Sequence, residues 1–119
     1  MPFYKKSTRE VGTKLENLVL AYLQELEPNA QLSNNSGAVS GNGDIANSRY
    51  FQIECKVKNT KNITIKQDVF EKLIKSIPMH INRMPVLVNQ NIDKKIYVTI
   101  EMKDFFKLAE AYIREDKNG

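Results

Sequence analysis

The sequence predicts an α/β fold in which helices flank a mixed β-sheet around a single core, and three observations lead there. The chain has 119 residues, enough for one hydrophobic core and too few for a second module. Its apolar residues recur at helical spacing in three places and alternate, or run continuously, in between. The resulting order is helix, short strand, strand, strand, helix, strand, strand, helix, and such interleaving places helices on the faces of a sheet.

The first helix is expected over Thr8 to Leu26, where Val11, Leu15, Leu18, Val19, Tyr22, Leu23 and Leu26 form one stripe, Ser7 or Thr8 serves as N-cap and Pro28 follows the end. Asn29 to Ser33 supplies a short strand. Ser33 to Gly43 is rich in Ser, Asn and Gly, so it reads as a mobile loop. A hairpin is expected next, its short arm around Asp44-Ile45 and its long arm from Tyr50 to about Val57, before Asn59, Thr60, Lys61 and Asn62 break it. A second helix runs from about Ile65 to Ile77, with Ile65, Val69, Leu73 and Ile77 as its apolar stripe and Pro78 stopping it. Pro85 to Asn89 reads as a buried strand and Lys95 to Ile100 as an alternating one. A last helix, Lys103 to about Arg114, is expected to cover a face with Phe105, Phe106, Ala109 and Tyr112, and both chain ends are expected to fray.

Composition narrows the function classes. Eighteen basic residues against 14 acidic ones give a net charge of +4, which suits an anionic partner such as nucleic acid. One cysteine, Cys55, excludes an intramolecular disulfide framework and fits a reducing compartment. No apolar run is long enough to span a bilayer and the N-terminus lacks a secretion signal's apolar core, so a soluble, cytoplasmic protein is expected, with no membrane partner. The glycines from Gly37 to Gly43 lack the lysine and helix of a nucleotide-binding loop, so no nucleotide cofactor is expected.

The chemistry concentrates in the hairpin. Strand alternation puts Glu54 and Lys56 on one face and Ile53, Cys55 and Val57 on the other. An antiparallel hairpin with Ser48, Arg49 and Tyr50 in its loop would set Asp44 opposite Glu54 and Ile45 opposite Ile53. Two hard-oxygen ligands with a lysine beside them can hold a divalent cation against a phosphodiester. The plainer alternative is a solvated Glu54–Lys56 ion pair, contributing under about 1 kcal/mol. Two further acid-x-Lys triplets, Glu101-Met102-Lys103 and Asp93-Lys94-Lys95, act as internal controls, since neither lies on a strand with an aspartate upstream. At about 100° per residue, Glu16 sits at the edge of the first helix's apolar stripe, where its carboxylate can reach over the rim of the sheet. Gly12, one turn earlier, would permit close backbone approach.

Several basic and polar residues are candidates for DNA contact. Lys58, Lys61 and Lys66 form a local cluster that either meets phosphates or keeps a sheet edge soluble. Lys5, Lys6 and Arg9 are either a DNA-binding arm or a solvated start. Gln67 lies either beside the carboxylates or on a solvated helix face.

These residues carry a resemblance. With Gly12 and Glu16 in the first helix, Ser40-Gly41-Asn42-Gly43-Asp44-Ile45 leading into one strand and Ile53-Glu54-Cys55-Lys56 on the next, the chain resembles the PD-(D/E)XK nuclease superfamily. Within it, the archaeal-type Holliday-junction resolvases and their phage-encoded relatives are the most similar group. The proline that names the superfamily is Gly43 here, and the arginine that commonly follows the helical glutamate is Asn17. The resemblance implies a restriction-endonuclease-like core of order αβββαββα and hydrolysis of branched DNA to 5′-phosphate and 3′-hydroxyl ends in recombination and repair. It also implies a homodimer that makes paired cuts, working in the cytoplasm of a host cell if phage-encoded. It implies Mg²⁺, with Mn²⁺ able to substitute, held by Asp44, Glu54 and the backbone carbonyl of Cys55, with Glu16 reaching the ion through water. Lys56 would orient the attacking water and stabilise developing charge, and Ser40 would match a loop serine. The alternatives are a nuclease of the same fold acting on other DNA structures, and a non-catalytic nucleic-acid-binding module.

Overall fold

A computed structural model describes residues 8–37 and 43–118. Its elements are α1 (Thr8–Gln24), β1 (Gln31–Gly37), β2 (Gly43–Ala46), β3 (Phe51–Val57), α2 (Gln67–Ser76), β4 (Met84–Gln90), β5 (Ile96–Thr99) and α3 (Met102–Asn118). The order of helices and strands is the one the sequence predicts. The strands form a single sheet in the order β1-β2-β3-β4-β5. It is mixed: β3 and β4 pair in parallel from Phe51↔Met84 to Val57↔Gln90, β4 and β5 pair antiparallel, and β1 and β2 pair antiparallel.

The in-register parallel pairing of β3 with β4 sorts the side chains. Ile53 lies beside Val86 and Cys55 beside Val88 on one face, while Glu54 lies beside Leu87 and Lys56 beside Asn89 on the other. α1 covers the first face, and the core forms there from Leu15, Leu23, Ala30, Ile45, Ile53, Val86 and Val88. α2 lies against the opposite face and buries Leu73. There Gln52, fully buried, donates from Nε2 to Ser76 Oγ at 3.2 Å and accepts from Arg83 Nη1 at 3.1 Å. A buried amide is tolerable only with such partners.

Three expectations are corrected. β2 and β3 do not form the antiparallel hairpin; they share one bridge, Gly43↔Ile53, in the parallel sense. Local side-chain bonds replace the ladder. The Cys55 N–H donates to Asp44 Oδ2 at 2.7 Å, and Glu27, just past α1, accepts from Ser48 Oγ at 2.6 Å and from the Arg49 N–H at 2.7 Å. The second correction is that β1 continues to Gly37, into the stretch expected to be loop, because pairing with β2 satisfies its backbone across an irregular register between Leu32 and Gly37.

The third correction concerns α3, which covers no face. It runs to Asn118, its Phe105 and Phe106 are 54% and 59% exposed, and its one buried residue is Asp104. The radius of gyration, 15.6 Å, exceeds the roughly 13.5 Å of a compact chain of this length. Tyr22 of α1, Leu26 just past its end and Val98 of β5 stay exposed as well, 69%, 76% and 59%, with no helix among the described residues packed over them. No helix among the described residues is long and apolar enough to cross a membrane.

Candidate active site

Asp44, Glu54 and Lys56 come together at the β2–β3 junction. The bond from the Cys55 N–H to Asp44 Oδ2 fixes the aspartate against β3. Lys56 Nζ stands 3.7 Å from Glu54 Oε1, with side-chain exposures of 45% and 29%, so the pair is open to solvent on one side. Glu16 approaches from α1, half-buried.

These groups lie close enough for one charge to act on another, and all are partly buried. Burial raises the Asp44 carboxyl above the ordinary value, opposed by the Cys55 N–H and by Lys56. Glu54 is raised by burial and then by Asp44 and Glu16, against the attraction of Lys56. Glu16 is raised by burial and then by Asp44. Burial and the three carboxylates together push the Cys55 thiol far up, so Cys55 is a neutral packing residue and not a nucleophile. The site is thus a knot of partly desolvated negative charge, with one lysine ammonium as its counter-charge in these shifts.

Hard, negatively charged oxygens that destabilise one another are the donor set a divalent cation relieves. In that chemical sense the residues fit Mg²⁺ or Mn²⁺. Among the described residues no group of three or more His, Cys, Asp or Glu is arranged to hold an ion as it stands. The hard-oxygen donors at this junction are the carboxylates of Asp44 and Glu54, with Glu16 close enough to raise the affinity of Glu54 for its proton.

The remaining candidates divide. Lys58 lies half-buried just past β3, where its N–H donates to Gln90 O at 2.8 Å, and it lines one cavity with Lys56 and Lys66. Lys61 is exposed, and its carbonyl accepts from Asn91 Nδ2 at 3.0 Å. Gln67 is not brought to the carboxylates: it is exposed and donates to Glu71 Oε1 along its own helix at 2.8 Å. Lys5, Lys6 and Ser40 lie outside the described residues, as does the side chain of Arg9. Gly12 does not mark a close approach, since a Cβ there would meet nothing within 4 Å. The internal controls stay apart: Glu101 and Lys103 form an ion pair at 4.0 Å beside α3, and Lys94, at φ 63°, belongs to the β4–β5 turn.

Sequence reasoning missed two residues. Glu27, in the connection from α1 to β1, anchors the β2–β3 link, and Asn89 sits beside Lys56 with its whole amide buried. Comparison with known proteins adds nothing to these residues: no family model matches the chain, and no curated protein or solved structure matches it significantly.

Proposed function

We propose that this protein is a divalent-metal-dependent DNA endonuclease of the PD-(D/E)XK type, acting on branched DNA as a Holliday-junction resolvase does. The observation that carries the reading is the gathering of Asp44, Glu54 and Glu16 beside Lys56 at a partly buried strand junction, where burial raises all three carboxyls and Asp44 raises the other two further. A protein that only packed would have little reason to gather three carboxylates at a half-open strand junction. Asp44, Glu54 and the Cys55 carbonyl would hold the cation, which when bound neutralises the charge of the scissile phosphate. The Cys55 N–H keeps Asp44 in one rotamer, leaving its second oxygen free to face the substrate. Lys56, only loosely paired with Glu54, turns to the phosphate oxygens and stabilises the charge that builds as water attacks phosphorus. The bond to the 3′-oxygen breaks, that oxygen takes a proton, and a 5′-phosphate remains.

Paired cutting requires two copies, and the surface supports a homodimer. An apolar groove of about 510 Å³, lined among others by Tyr22, Leu26, Ile96, Val98 and Leu108, lies open beside a projecting α3 that exposes Phe105, Phe106, Tyr112 and Ile113. These elements expose several large apolar side chains side by side, the kind of surface that a stable interface of roughly 800 Å² per partner covers. A second copy that lays its α3 in the groove buries both faces at once, by two-fold exchange.

A non-catalytic nucleic-acid-binding module of the same fold is the competing reading, favoured by the lack of a ready-made three-acid group among the described residues. Incubation of labelled four-way junction, duplex, flap and single-stranded DNA with the protein, in Mg²⁺ and in chelator, separates them. Metal-dependent cutting of the junction in preference to duplex is expected. Equal cutting of junction and duplex leaves a nuclease without the resolvase role, and no cutting of any substrate in Mg²⁺ favours the binding module.

A further inference from the structure

Asn89, one residue before the end of β4, is 1% exposed, and neither its Nδ2 nor its Oδ1 finds a hydrogen-bond partner among the described residues. A buried amide with both ends unsatisfied is unfavourable for folding and calls for an explanation beyond packing. Its surroundings supply one. Asn89 lies next to Lys56 in the parallel register and lines a cavity of about 160 Å³ with Lys56, Lys58, Thr64 and Lys66. The same cavity meets the start of α2, where the N-cap residue Lys66 makes no side-chain cap bond, and Asp68 in the first turn accepts from the Val69 N–H at 3.0 Å. The positive end of the helix dipole favours an anion there, and three lysines outweigh the one carboxylate of Asp68.

We propose that this cleft binds a backbone phosphate of the nucleic acid, next to the one that is cut, with Asn89 donating from Nδ2 to a phosphate oxygen. The proposal rests on the nuclease reading for its strand, but its chemistry is that of any phosphate. Lys56 borders both the carboxylates and the cleft, so a strand seated here passes directly over Glu54. Asn89 is a positioning residue: it sets the register of the strand and takes no part in bond breaking.

The test reads binding without cutting. Fluorescence anisotropy of a labelled four-way junction and a duplex is recorded in chelator for wild type, Asn89→Leu and Lys66→Ala, together with the melting temperature of each protein. Asn89→Leu is expected to melt at or above wild type, since it removes an unpartnered amide, yet to bind both DNAs about tenfold more weakly. Lys66→Ala is expected to lower the slope of log affinity against log salt by about one. Wild-type affinity in Asn89→Leu overturns the proposal. A clearly lower melting temperature for that variant also overturns it, because the amide would then serve the fold. If inorganic phosphate raises the melting temperature of wild type but not of Asn89→Leu while DNA affinity is unchanged, the cleft takes a free anion and the strand assignment falls. Cleavage that is indifferent to Asp44→Asn would sink the nuclease reading alone, since affinity in chelator does not depend on it.

Discussion

Asp44 is largely buried, and burial raises its carboxyl despite the Cys55 N–H and Lys56, so in the folded protein its charge is stabilised less than in water. Burial raises the carboxyls of Asp44, Glu54 and Glu16 from their ordinary values, and Asp44 raises the two glutamates further. The folded state therefore binds their protons more tightly than the unfolded chain. Their contribution to stability is fully present below about pH 4, the unfolded range, and is lost as pH rises through the raised folded values. In chelator, the melting temperature of wild type relative to Asp44→Asn is expected to fall across that window, with Asp44→Asn a few degrees more stable at neutral pH. Added Mg²⁺ should close the gap by stabilising wild type alone. Differential scanning calorimetry at several pH values, with and without Mg²⁺, checks both statements. A gap that is flat with pH contradicts them.

Glu54 and Lys56 were legible in the sequence because strand alternation fixes which side chains share a face, whatever the partner strand does, whereas Asp44 was placed beside them through an antiparallel hairpin that does not form, and it reaches β3 through the Cys55 N–H instead. Asn89 was not, because a single polar residue ending the run Pro85-Val86-Leu87-Val88 carries no sign of whether its amide is paired. Glu27 was illegible for a different reason: its partners, Ser48 and Arg49, lie some twenty residues on, and only the tertiary fold joins them.

At the level of elements, the sheet and its flanking helices follow from local periodicity, but the β2–β3 junction does not. Hairpin logic assumes that neighbouring strands exhaust each other's backbone groups. Here the Asp44 carboxylate takes the Cys55 N–H, and Glu27 takes the link's Arg49 N–H and Ser48 hydroxyl. Glu27 thus sets where β2 enters the sheet, and with it where Asp44 stands. Replacing Glu27 with Ala removes two bonds to a charged acceptor and is expected to cost about 1–3 kcal/mol, with a loss of cleavage larger than the loss of folded protein explains. Urea denaturation measures the first and activity per folded molecule the second. Glu27→Gln, which keeps one acceptor oxygen, should recover part of both.

For the molecule as a whole, the sequence's error over α3 is informative. Phe105, Phe106, Ala109 and Tyr112 do form an apolar stripe at helical spacing, and periodicity alone cannot say whether its partner is in the same chain. The helix is about 25 Å long, and its apolar side chains stay largely exposed beside an equally apolar groove. Sedimentation equilibrium is expected to give a dimer for the full chain. A chain ending at Glu101 should lose that dimer, and a monomeric full chain at micromolar concentration would contradict the exchange.

The central claim is that the carboxylates of β2 and β3 form a metal-dependent hydrolytic site, and the chain contains its own control. Single-turnover cleavage of a labelled four-way junction in Mg²⁺ can be compared for wild type, Asp44→Asn and Glu101→Gln, the last altering the acid-lysine pair at the start of α3. Asp44→Asn should lower the rate by a factor of at least about 10³ while Glu101→Gln cuts as wild type does. Equal rates for all three proteins, or no cleavage by any, would contradict it.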